Sequence, residues 1–376
     1  MRVAVLGSTG SIGRQSLEVV RNLRPRFEVI ALAAGSNLEL LAEQVREFQP
    51  TVVSVGSPEL VEPLRERIGN TEVLWGKEGL LEIAALPEAA MVINGLVGAI
   101  GLEPTLRALE ARKRVGLANK ESLVIGGHLV QRALERGGEL IPIDSEHSAI
   151  FQLLEHHDRK EVRRIIITAS GGALRDRPLK ELEQITPEEV LQHPTWRMGR
   201  RITVDSATLV NKGFEVIEAH WLFGLEYERI RALLHPQSIV HGLIEFMDGT
   251  VTAALSPPDM RLPIQYALTY PERLENSYPG LDLDGLALDF AEIDPQRYPA
   301  FGVVVEAGRI GGTMPAAVNG ADEVLVERFL HGEIPFPKIW EGLRRVLAEH
   351  RVIQDPSLEE IAAADRWGRE FMTGMG

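Results

Sequence analysis

The first 148 residues alternate between short apolar runs and amphipathic stretches, and no other feature of the sequence constrains the fold as strongly. Runs such as "RVAVLG", "FEVIALAAG" and "MVINGL" are typical of buried strands. The stretches between them, such as "NLELLAEQVREF" and "LEPTLRALEARK", carry apolar residues at helical spacing. Strict alternation of strand and helix predicts an α/β fold, with a Rossmann-like, doubly wound parallel sheet over residues 1–148.

The pattern changes after residue 148. Over 149–270 it predicts a central α+β domain, with strands at "VRRIIITAS" and "RITVDSAT" and a hairpin that turns at Asp248–Gly249. Residues 271–298 are rich in Pro and Asp, which predicts a linker on the surface. The remaining residues, 299–376, contain four amphipathic stretches that predict a C-terminal four-helix bundle.

Composition excludes several classes of protein and site. A chain of 376 residues is expected to form two or three domains. Its net charge of -14, without a long Lys/Arg run, argues against a nucleic-acid partner. The absence of cysteine excludes disulfides, thiolate metal sites and cysteine nucleophiles. No apolar run approaches the roughly 18 residues of a membrane span, so we expect no membrane partner and a cytoplasmic location.

The turn after the first predicted strand is rich in glycine. Gly7, Gly10 and Gly13 give the spacing Gly-x-x-Gly-x-x-Gly immediately before a predicted helix. Glycines allow a pyrophosphate to approach the backbone closely, and the amides of a helix N-terminus attract its negative charge. The pattern favours dinucleotide binding, although a tight turn without a ligand would use similar residues.

The end of the second predicted strand indicates which dinucleotide binds. An NAD site usually places Asp or Glu there, about 20 residues after the glycines, to bind the ribose 2′-hydroxyl. This chain has Gly35, Ser36 and Asn37 instead. A carboxylate would repel a 2′-phosphate, whereas hydroxyl and amide groups accept one, with Arg14 near enough to contribute. The sequence therefore favours NADP over NAD.

The segment "LIPIDSEHSAIF" ends an apolar strand with two carboxylates. If the chain is still extended there, Asp144 and Glu146 point the same way, and paired oxygens suit a hard cation such as Mg²⁺ or Mn²⁺. The alternatives are a solvated loop, or Asp144 capping a helix that begins near Ser148. His147 has no assigned role, and a structural one is the default.

The segment "VDSATLVNKGFEVIEAHW" contains a third candidate carboxylate. If its second half is helical, Asn211, Lys212 and Glu215 share one face. Glu215 would then complete a metal shell, while Asn211 and Lys212 would bind an anion together with Ser206. An ordinary capped helix with a surface ion pair is the alternative. Asp205 is the main rival ligand, but strand alternation would turn it away from Ser206.

Three further motifs have functional and structural interpretations. Ser170 precedes two glycines in "ITASGG", where a hydroxyl and free amides suit a phosphate, or simply a turn. The segment His193–Gly199, "HPTWRMG", predicts a lid in which Trp196 covers a ligand or packs on neighbours. Asn119-Lys120-Glu121 follows a predicted strand, and open α/β sheets bind ligands at such strand ends.

These motifs resemble, in order along nearly the whole chain, the 1-deoxy-D-xylulose 5-phosphate reductoisomerase family. The most specific are "IDSEHSAIFQ" and "VDSATLVNKGFE", supported by "GSTGSIG", "LANKES", "HPTWRMGRRIT", "LHPQSIVHG" and "PDMRLPI". The resemblance implies a V-shaped homodimer, with an NADPH domain at 1–148, a catalytic and dimerisation domain at 149–270, a linker at 271–298 and a helical domain at 299–376.

The resemblance also implies a role for each matching residue. Asp144, Glu146 and Glu215 bind Mg²⁺ or Mn²⁺, with Co²⁺ as a further candidate. Lys120, Glu146 and His193 are catalytic. The substrate is surrounded by Lys120, Ser145, Glu146, Ser170, His193, Ser206, Asn211, Lys212 and Glu215, and its phosphate is held by Ser170, Ser206, Asn211 and Lys212. The cofactor is lined by Thr9, Gly10, Ser11, Ile12, Gly35, Ser36, Asn37, Asn119, Glu121 and Gly199.

The implied reaction is NADPH-dependent rearrangement and reduction of 1-deoxy-D-xylulose 5-phosphate to 2-C-methyl-D-erythritol 4-phosphate, early in non-mevalonate isoprenoid synthesis. Many family members carry a basic residue where this chain has Ser36, so Arg14 is expected to compensate. A semialdehyde dehydrogenase would need a cysteine that the chain lacks. An NADP-sensing regulator, or another NADP-dependent sugar-phosphate dehydrogenase, is the alternative, and the regulator leaves the three acids and the phosphate-binding set unexplained.

Overall fold

The computed structural model describes residues 1–155, 157–196 and 198–374, and the chain forms two compact units. The first unit comprises residues 1–122, 129–145 and 259–278. The second comprises residues 123–128, 146–258 and 279–376. The segment 259–278 therefore returns to the first unit after the chain has built most of the central region.

The sheet of the first unit has seven strands in the order β4-β3-β2-β1-β5-β6-β7, and every neighbouring pair is parallel. This confirms the predicted doubly wound sheet. The strands are β1 Arg2–Leu6, β2 Glu28–Ala33, β3 Val52–Val55, β4 Glu72–Trp75, β5 Met91–Asn94, β6 Arg114–Leu117 and β7 Glu139–Pro142. The helices that alternate with them are α1 Ser11–Asn22, α2 Leu38–Phe48, α3 Val61–Ile68, α4 Gly76–Ala85, α5 Leu102–Glu110 and α6 Glu121–Leu134.

The strand order reverses between β1 and β5, and the turns that follow these two strands pack closely. Gly7 has φ +76°, and a Cβ there would lie 2.7 Å from the carbonyl oxygen of Gly95. A Cβ on Gly13 would lie 2.2 Å from the carbonyl oxygen of Gly7, so α1 begins directly against the turn. Such a reversal point is where open α/β sheets leave a crevice for a ligand.

The second unit contains a mixed sheet of four strands in the order β11-β10-β8-β9. Its strands are β8 Val162–Ala169, β9 Ile230–Leu234, β10 Val240–Phe246 and β11 Val251–Leu255. β10 and β11 pair antiparallel across the turn at Asp248–Gly249, which confirms the predicted hairpin. One face of this sheet packs on helices through a core that includes Ile165, Ile167 and Phe223.

The remaining helices lie after β7 in the sequence. They are α7 Ser145–Leu154, α8 Pro187–Val190, α9 Arg200–Thr208, α10 Val210–Phe223, α11 Arg261–Thr269, α12 Pro299–Ile310, α13 Met314–Leu330, α14 Lys338–Glu349 and α15 Leu358–Thr373. The last four confirm the predicted helices of the C-terminal region. They belong to the same compact unit as residues 146–258, so a separate C-terminal domain stays a prediction.

The predicted strand at "RITVDSAT" is wrong, because these residues form α9. Gly199 caps its N-terminus, and the hydroxyl of Thr203 donates 2.8 Å to the carbonyl oxygen of Gly199 one turn earlier. The β-branched Ile, Thr and Val of the segment resemble a strand, but helix propensity differs little among such residues and packing decides. The six consecutive residues 203–208 are all buried, so α9 lies in the interior on most of its surface.

The segment 271–298 contains no helix, and its only pairing among the described residues is a single bridge from Ala291 to Leu234. The lack of regular structure is what the Pro- and Asp-rich composition predicts, and the linker itself stays a prediction. None of the helices within the described ranges combines the length and hydropathy that a bilayer span requires.

Candidate active site

Three polar side chains converge in the second unit from three separate segments. Ser170 follows β8, His193 begins the predicted lid and Ser206 lies on α9. The Nε2 atom of His193 lies 3.0 Å from the Oγ of Ser170 and 3.2 Å from the Oγ of Ser206. The structure therefore brings these three predicted residues together, with two hydroxyl groups around one imidazole nitrogen.

The other nitrogen of His193 defines its tautomer. Nδ1 accepts hydrogen bonds from the backbone N–H groups of Thr195, at 3.2 Å, and Trp196, at 3.0 Å. An accepting Nδ1 leaves the proton of the neutral ring on Nε2, which faces the two serines. Burial lowers the pKa of His193 from its ordinary value of 6.5, and the nearby Arg175 guanidinium lowers it further. His193 is therefore a neutral donor at pH 7.

The loop after β8 packs very closely against α9. Gly171 and Gly172 both have positive φ, and a Cβ on Gly172 would lie 2.6 Å from the Cα atom of Ala207 on α9. The Gly172 N–H donates 3.1 Å to the Oγ of Ser170. Outside the loop, the hydroxyl of Tyr298 donates 3.0 Å to the carbonyl oxygen of Gly171. The glycines thus let the loop pack directly on the helix that carries Ser206.

Arg175 and Tyr298 support this loop, and the sequence does not predict either of them. Arg175 donates through Nη1 to the carbonyl oxygen of Ser170 at 3.0 Å. Burial raises the pKa of Tyr298 to about 12, so its hydroxyl stays a donor. Tyr298 lies 127 residues from Gly171, a separation at which a single sequence carries no pairing signal.

A second cluster lies at the start of α10 and confirms the predicted helical face. The amide of Asn211 donates 2.6 Å to one carboxylate oxygen of Glu215, and the ammonium of Lys212 contacts the other oxygen. Lys212 Nζ also lies 3.1 Å from an Oε1 atom of Glu146, in the first turn of α7. The carboxylates of Glu146 and Glu215 come within 4.8 Å of each other. Glu215 is 1% exposed and Lys212 3%, so this is a buried ion cluster.

His147 and Glu218 form a buried pair behind this cluster. His147 Nε2 lies 2.9 Å from the backbone carbonyl oxygen of Glu215, and Nδ1 lies 3.4 Å from a carboxylate oxygen of Glu218. Both side chains are almost fully buried. The structure thus places His147 against the backbone of α10, while the sequence has no signal for Glu218.

The expectation of an extended chain from Asp144 to Glu146 is wrong, because α7 already begins at Ser145. Glu146 therefore lies in the first turn of a helix, where a carboxylate is favoured by the helix dipole. Asp144 lies in the first unit just after β7, and its Oδ2 is 2.5 Å from the Nζ of Lys120. Lys120 is 8% exposed, and the two predicted site residues form a nearly buried ion pair.

The predicted cofactor residues of the first unit lie at the carboxyl ends of its strands. Thr9 and Gly10 lie in the turn after β1, Ser11 and Ile12 begin α1, and Ser36 and Asn37 lie exposed between β2 and α2. Asn37 caps α2 by accepting from the N–H of Leu40 at 3.2 Å. No atom lies within 4 Å of a Cβ built on Gly35, so the backbone is open there. Arg14 is exposed.

Asn119 and Glu121 brace the loop after β5. The amide of Asn119 donates to the carbonyl oxygens of Leu96, at 3.1 Å, and Gly98, at 3.0 Å. Glu121 accepts from the N–H of Gly98 at 3.1 Å and from Asn119 at 2.9 Å. These contacts shape the loop. Gly199, the last predicted cofactor residue, belongs to the second unit as the cap of α9.

The predicted lid, residues 193–199, is anchored at its start by His193. The Thr195 hydroxyl lies 3.3 Å from the Oγ of Ser238, and the ring of Trp196 meets the ring of His241 edge on, with centroids 6.2 Å apart. Trp196 is therefore packed on a neighbour in this structure. Arg197, within the predicted lid, lies outside the described residues.

The chain is similar to known proteins over nearly its whole length. Family models described as 1-deoxy-D-xylulose 5-phosphate reductoisomerase match residues 3–127, 140–223 and 255–371, the second and third being C-terminal domains. The reductoisomerase of Pelotomaculum thermopropionicum is 50% identical over 374 residues, covering 98% of this chain and 97% of the relative. That of Bacillus cereus strain Q1 is 48% identical over 373 residues, covering 98% of each chain.

Solved structures show the same similarity. A DOX-P reductoisomerase in complex with NADPH, fosmidomycin and magnesium is 35% identical, with a TM-score of 0.94 over 99% of this chain and 97% of that one. The Zymomonas mobilis 1-deoxy-D-xylulose 5-phosphate reductoisomerase in complex with NADPH is 39% identical, with a TM-score of 0.93 over 100% of this chain and 98% of that one.

We expect the His193 imidazole to titrate below pH 6.5, because burial and the Arg175 charge both disfavour the imidazolium form. Since the folded pKa lies below the unfolded value, the unfolded chain takes up the proton first, and this residue lowers the free energy of unfolding as the pH drops below 6.5. Arg175→Gln should raise the pKa part of the way. NMR titration of the ring, assigned by signal loss in His193→Asn, measures both; a wild-type pKa at or above 6.5 contradicts the expectation.

Proposed function

The chain belongs to the 1-deoxy-D-xylulose 5-phosphate reductoisomerase family, and on this premise we propose how its residues act. The reaction is the NADPH- and metal-dependent rearrangement and reduction of 1-deoxy-D-xylulose 5-phosphate to 2-C-methyl-D-erythritol 4-phosphate. The observation that carries the site assignment is the buried cluster in which Glu146 and Glu215 face one ammonium, that of Lys212. Family membership over nearly the whole chain argues against an NADP-sensing regulator or a different dehydrogenase.

Glu146 and Glu215 fit a divalent cation. Their oxygens lie within 4.8 Å of each other, close enough for one ion, and all-oxygen donors suit Mg²⁺ or Mn²⁺. Asp144 precedes Glu146 by two residues and is proposed as the third ligand on that spacing. The relative crystallised with NADPH, fosmidomycin and magnesium supports Mg²⁺ as the metal.

A bound divalent cation would polarise the carbonyl and hydroxyl oxygens of the substrate and lower the barrier to rearrangement. Lys120 is proposed to stabilise negative charge on those oxygens, because a nearly buried ammonium acts strongly in a region of low dielectric. Its ion pair with Asp144 fixes the position of the ammonium before substrate arrives. Ser145, between the two acids, is proposed to contact the substrate.

The phosphate group is assigned to Ser170, Ser206, Asn211 and Lys212. The first two already converge on His193, whose neutral Nε2–H is a further donor. Lys212 supplies the positive charge that a dianion needs, from the helix turn next to α9. Binding energy from the phosphate, far from the reacting carbons, is then available to close the predicted lid and exclude water.

The first unit fits NADPH. Gly13 lets α1 begin directly against the turn after β1, so backbone amides are presented to a pyrophosphate. The exposed Ser36, Asn37 and Arg14 offer hydroxyl, amide and guanidinium groups to a 2′-phosphate, without a carboxylate to repel it. The bound cofactor supplies the hydride for reduction. Asn119 and Glu121 are proposed to act on cofactor binding by shaping the loop after β5. Gly199 is proposed to act through its backbone, because it has no side chain.

The proposed reaction has a direct test. NADPH absorbance at 340 nm is followed with 1-deoxy-D-xylulose 5-phosphate, with Mg²⁺ or Mn²⁺ present, and again after chelation with EDTA. We expect oxidation of NADPH only when both substrate and metal are present, and much slower turnover with NADH. No oxidation in the complete mixture would refute the proposed function, and undiminished turnover in EDTA would refute the metal assignment.

Replacing Glu215 by Gln tests its role as a metal ligand separately from its role in the fold. The amide keeps the shape and can still accept from Lys212, while it loses the charge that binds the cation, so we expect kcat/KM to fall by about 100-fold or more. NADPH affinity, measured by fluorescence, should change less than about twofold. Glu228→Gln is the matched control, because that carboxylate is 72% exposed in its ion pair with Arg309. Near-normal activity in Glu215→Gln would contradict its role.

We also propose a homodimer, formed through the edge strand β11. Its partner β10 lies on one side only, and Val251 is 50% exposed with Leu255 and Met247 also exposed. An apolar, unpaired strand edge is a template for pairing with another chain.

Sedimentation analysis of the wild type should give a mass of about twice 41.6 kDa. Val251→Lys should weaken the dimer, and Val97→Lys, at 71% exposure in the first unit, should not; a monomeric wild type would refute the proposal.

A cytoplasmic location remains a prediction of the sequence, and fractionation of cells that produce the protein would test it.

A further inference from the structure

A network of charged side chains in the second unit lies outside the residues assigned so far. It joins α9 to two helices of the C-terminal region, α13 and α15. We call it the Arg201 network; its members are Arg201 and Asp205 on α9, Asn319, Asp322 and Glu323 on α13, and Asp365 and Arg369 on α15.

Arg201 is the centre of this network. Its Nη1 lies 2.8 Å from an oxygen of Glu323, and its Nη2 lies 3.2 Å from the amide oxygen of Asn319 and 3.4 Å from an oxygen of Asp322. Its Nε lies 3.5 Å from Asp205, one turn along α9. One planar guanidinium thus engages four side chains on two helices, a geometry that lysine cannot reproduce.

The network continues from α13 to α15. Asn319 donates 2.9 Å to Asp365, and Arg369 lies 2.7 Å from both Asp365 and Glu323. The two helices approach closely at Gly320, where a Cβ would lie 2.1 Å from the carbonyl oxygen of Asp365. Because α13 and α15 are locked together in this way, they form a rigid support for Arg201.

Arg201 supplies one of the two guanidinium groups that face the acids of the network. Four carboxyl groups, from Asp205, Asp322, Glu323 and Asp365, face the guanidinium groups of Arg201 and Arg369. Asp322 is fully buried, and no donor in the described part of the chain reaches its Oδ1 atom. Burial raises the pKa of Asp322 to about 6, although the Arg201 charge opposes this. Loss of Arg201 would remove one of these two cations from beside Asp205, Asp322 and Glu323.

Helix α9 carries residues assigned to the phosphate. Ser206 lies five residues after Arg201, about 7.5 Å along the helix axis. α9 ends at Thr208, its cap residue Leu209 is buried and in the left-handed conformation with φ 59°, and α10 begins at the next residue. The position of α9 therefore determines where Ser206 lies and where the helix that carries Asn211 and Lys212 begins.

We propose that Arg201 is a positioning residue for phosphate recognition: by tying the first turn of α9 to α13 and α15, it holds Ser206, Asn211 and Lys212 in the geometry that binds the substrate phosphate. The C-terminal helices thus act on the affinity for phosphorylated substrate without touching it. This inference rests on the proposed function, in that it takes the phosphate subsite from there.

The experiment compares Arg201→Met, Arg201→Lys and Asp322→Asn with wild type in the full-length protein. Arg201→Met should raise KM for 1-deoxy-D-xylulose 5-phosphate by about tenfold or more, with KM for NADPH changed less than about twofold. Arg201→Lys should give a smaller rise, about threefold, because an ammonium meets fewer of the four partners. Asp322→Asn should leave KM near wild type, because the amide keeps the shape and removes a carboxylate that Arg201 must balance. Arg309→Met, an exposed arginine on α12, is the matched control.

Thermal shift with inorganic phosphate gives a second readout that needs no turnover. Phosphate should raise the Tm of wild type and of Asp322→Asn, and should raise that of Arg201→Lys less. A lowered Tm in the Arg201 variants with unchanged KM and an unchanged phosphate effect would overturn the inference, since Arg201 would then only stabilise the fold. If Arg201→Met does not fold, an unchanged KM in Arg201→Lys overturns it equally. A wild type without turnover or phosphate effect would instead refute the proposed function.

Discussion

The second unit depends on one buried electrostatic arrangement, in which the Lys212 ammonium contacts both Glu146 and Glu215. A buried carboxylate without a counter-charge costs several kcal/mol, and the contact with Lys212 offsets that cost for Glu215. The arrangement joins the first turn of α7 to the first turns of α10. His147 reinforces the same junction from behind, through the backbone carbonyl of Glu215. The same contacts therefore connect α7 to α10 and place Glu146 beside Glu215, the two carboxylates proposed to bind the metal.

Around this junction, the phosphate-binding residues come from segments that are far apart in sequence. The loop at Ser170 depends on Tyr298 and Arg175, and α9 depends on Arg201 and the helices of the C-terminal region. The Ser170 loop and the helix that carries Ser206 are thus held by residues that have no proposed contact with the substrate. This explains why the C-terminal helices, which carry none of the assigned site residues, carry a buried charge network with α9.

Prediction from sequence succeeded where the signal is local and periodic. The alternation over 1–148, the β10–β11 hairpin and the shared face of Asn211, Lys212 and Glu215 all follow from residue spacing, and the structure confirms them. It failed at α9, where β-branched residues resemble a strand but burial stabilises a helix. It also failed at Glu146, because α7 begins at Ser145 and the chain is not extended there.

The sequence by itself determined the fold class, the dinucleotide-type turn, and the residues that resemble the family, because these depend on local spacing and on residue chemistry. Only the tertiary structure decided which side chains meet: the neutral His193 between two serines, the support of the loop by Tyr298, and the anchoring of α9 by Arg201. Those contacts join residues separated by up to 127 positions. These contacts form only when the folded chain brings distant segments together, and the spacing of residues in a single sequence does not show which distant segments meet.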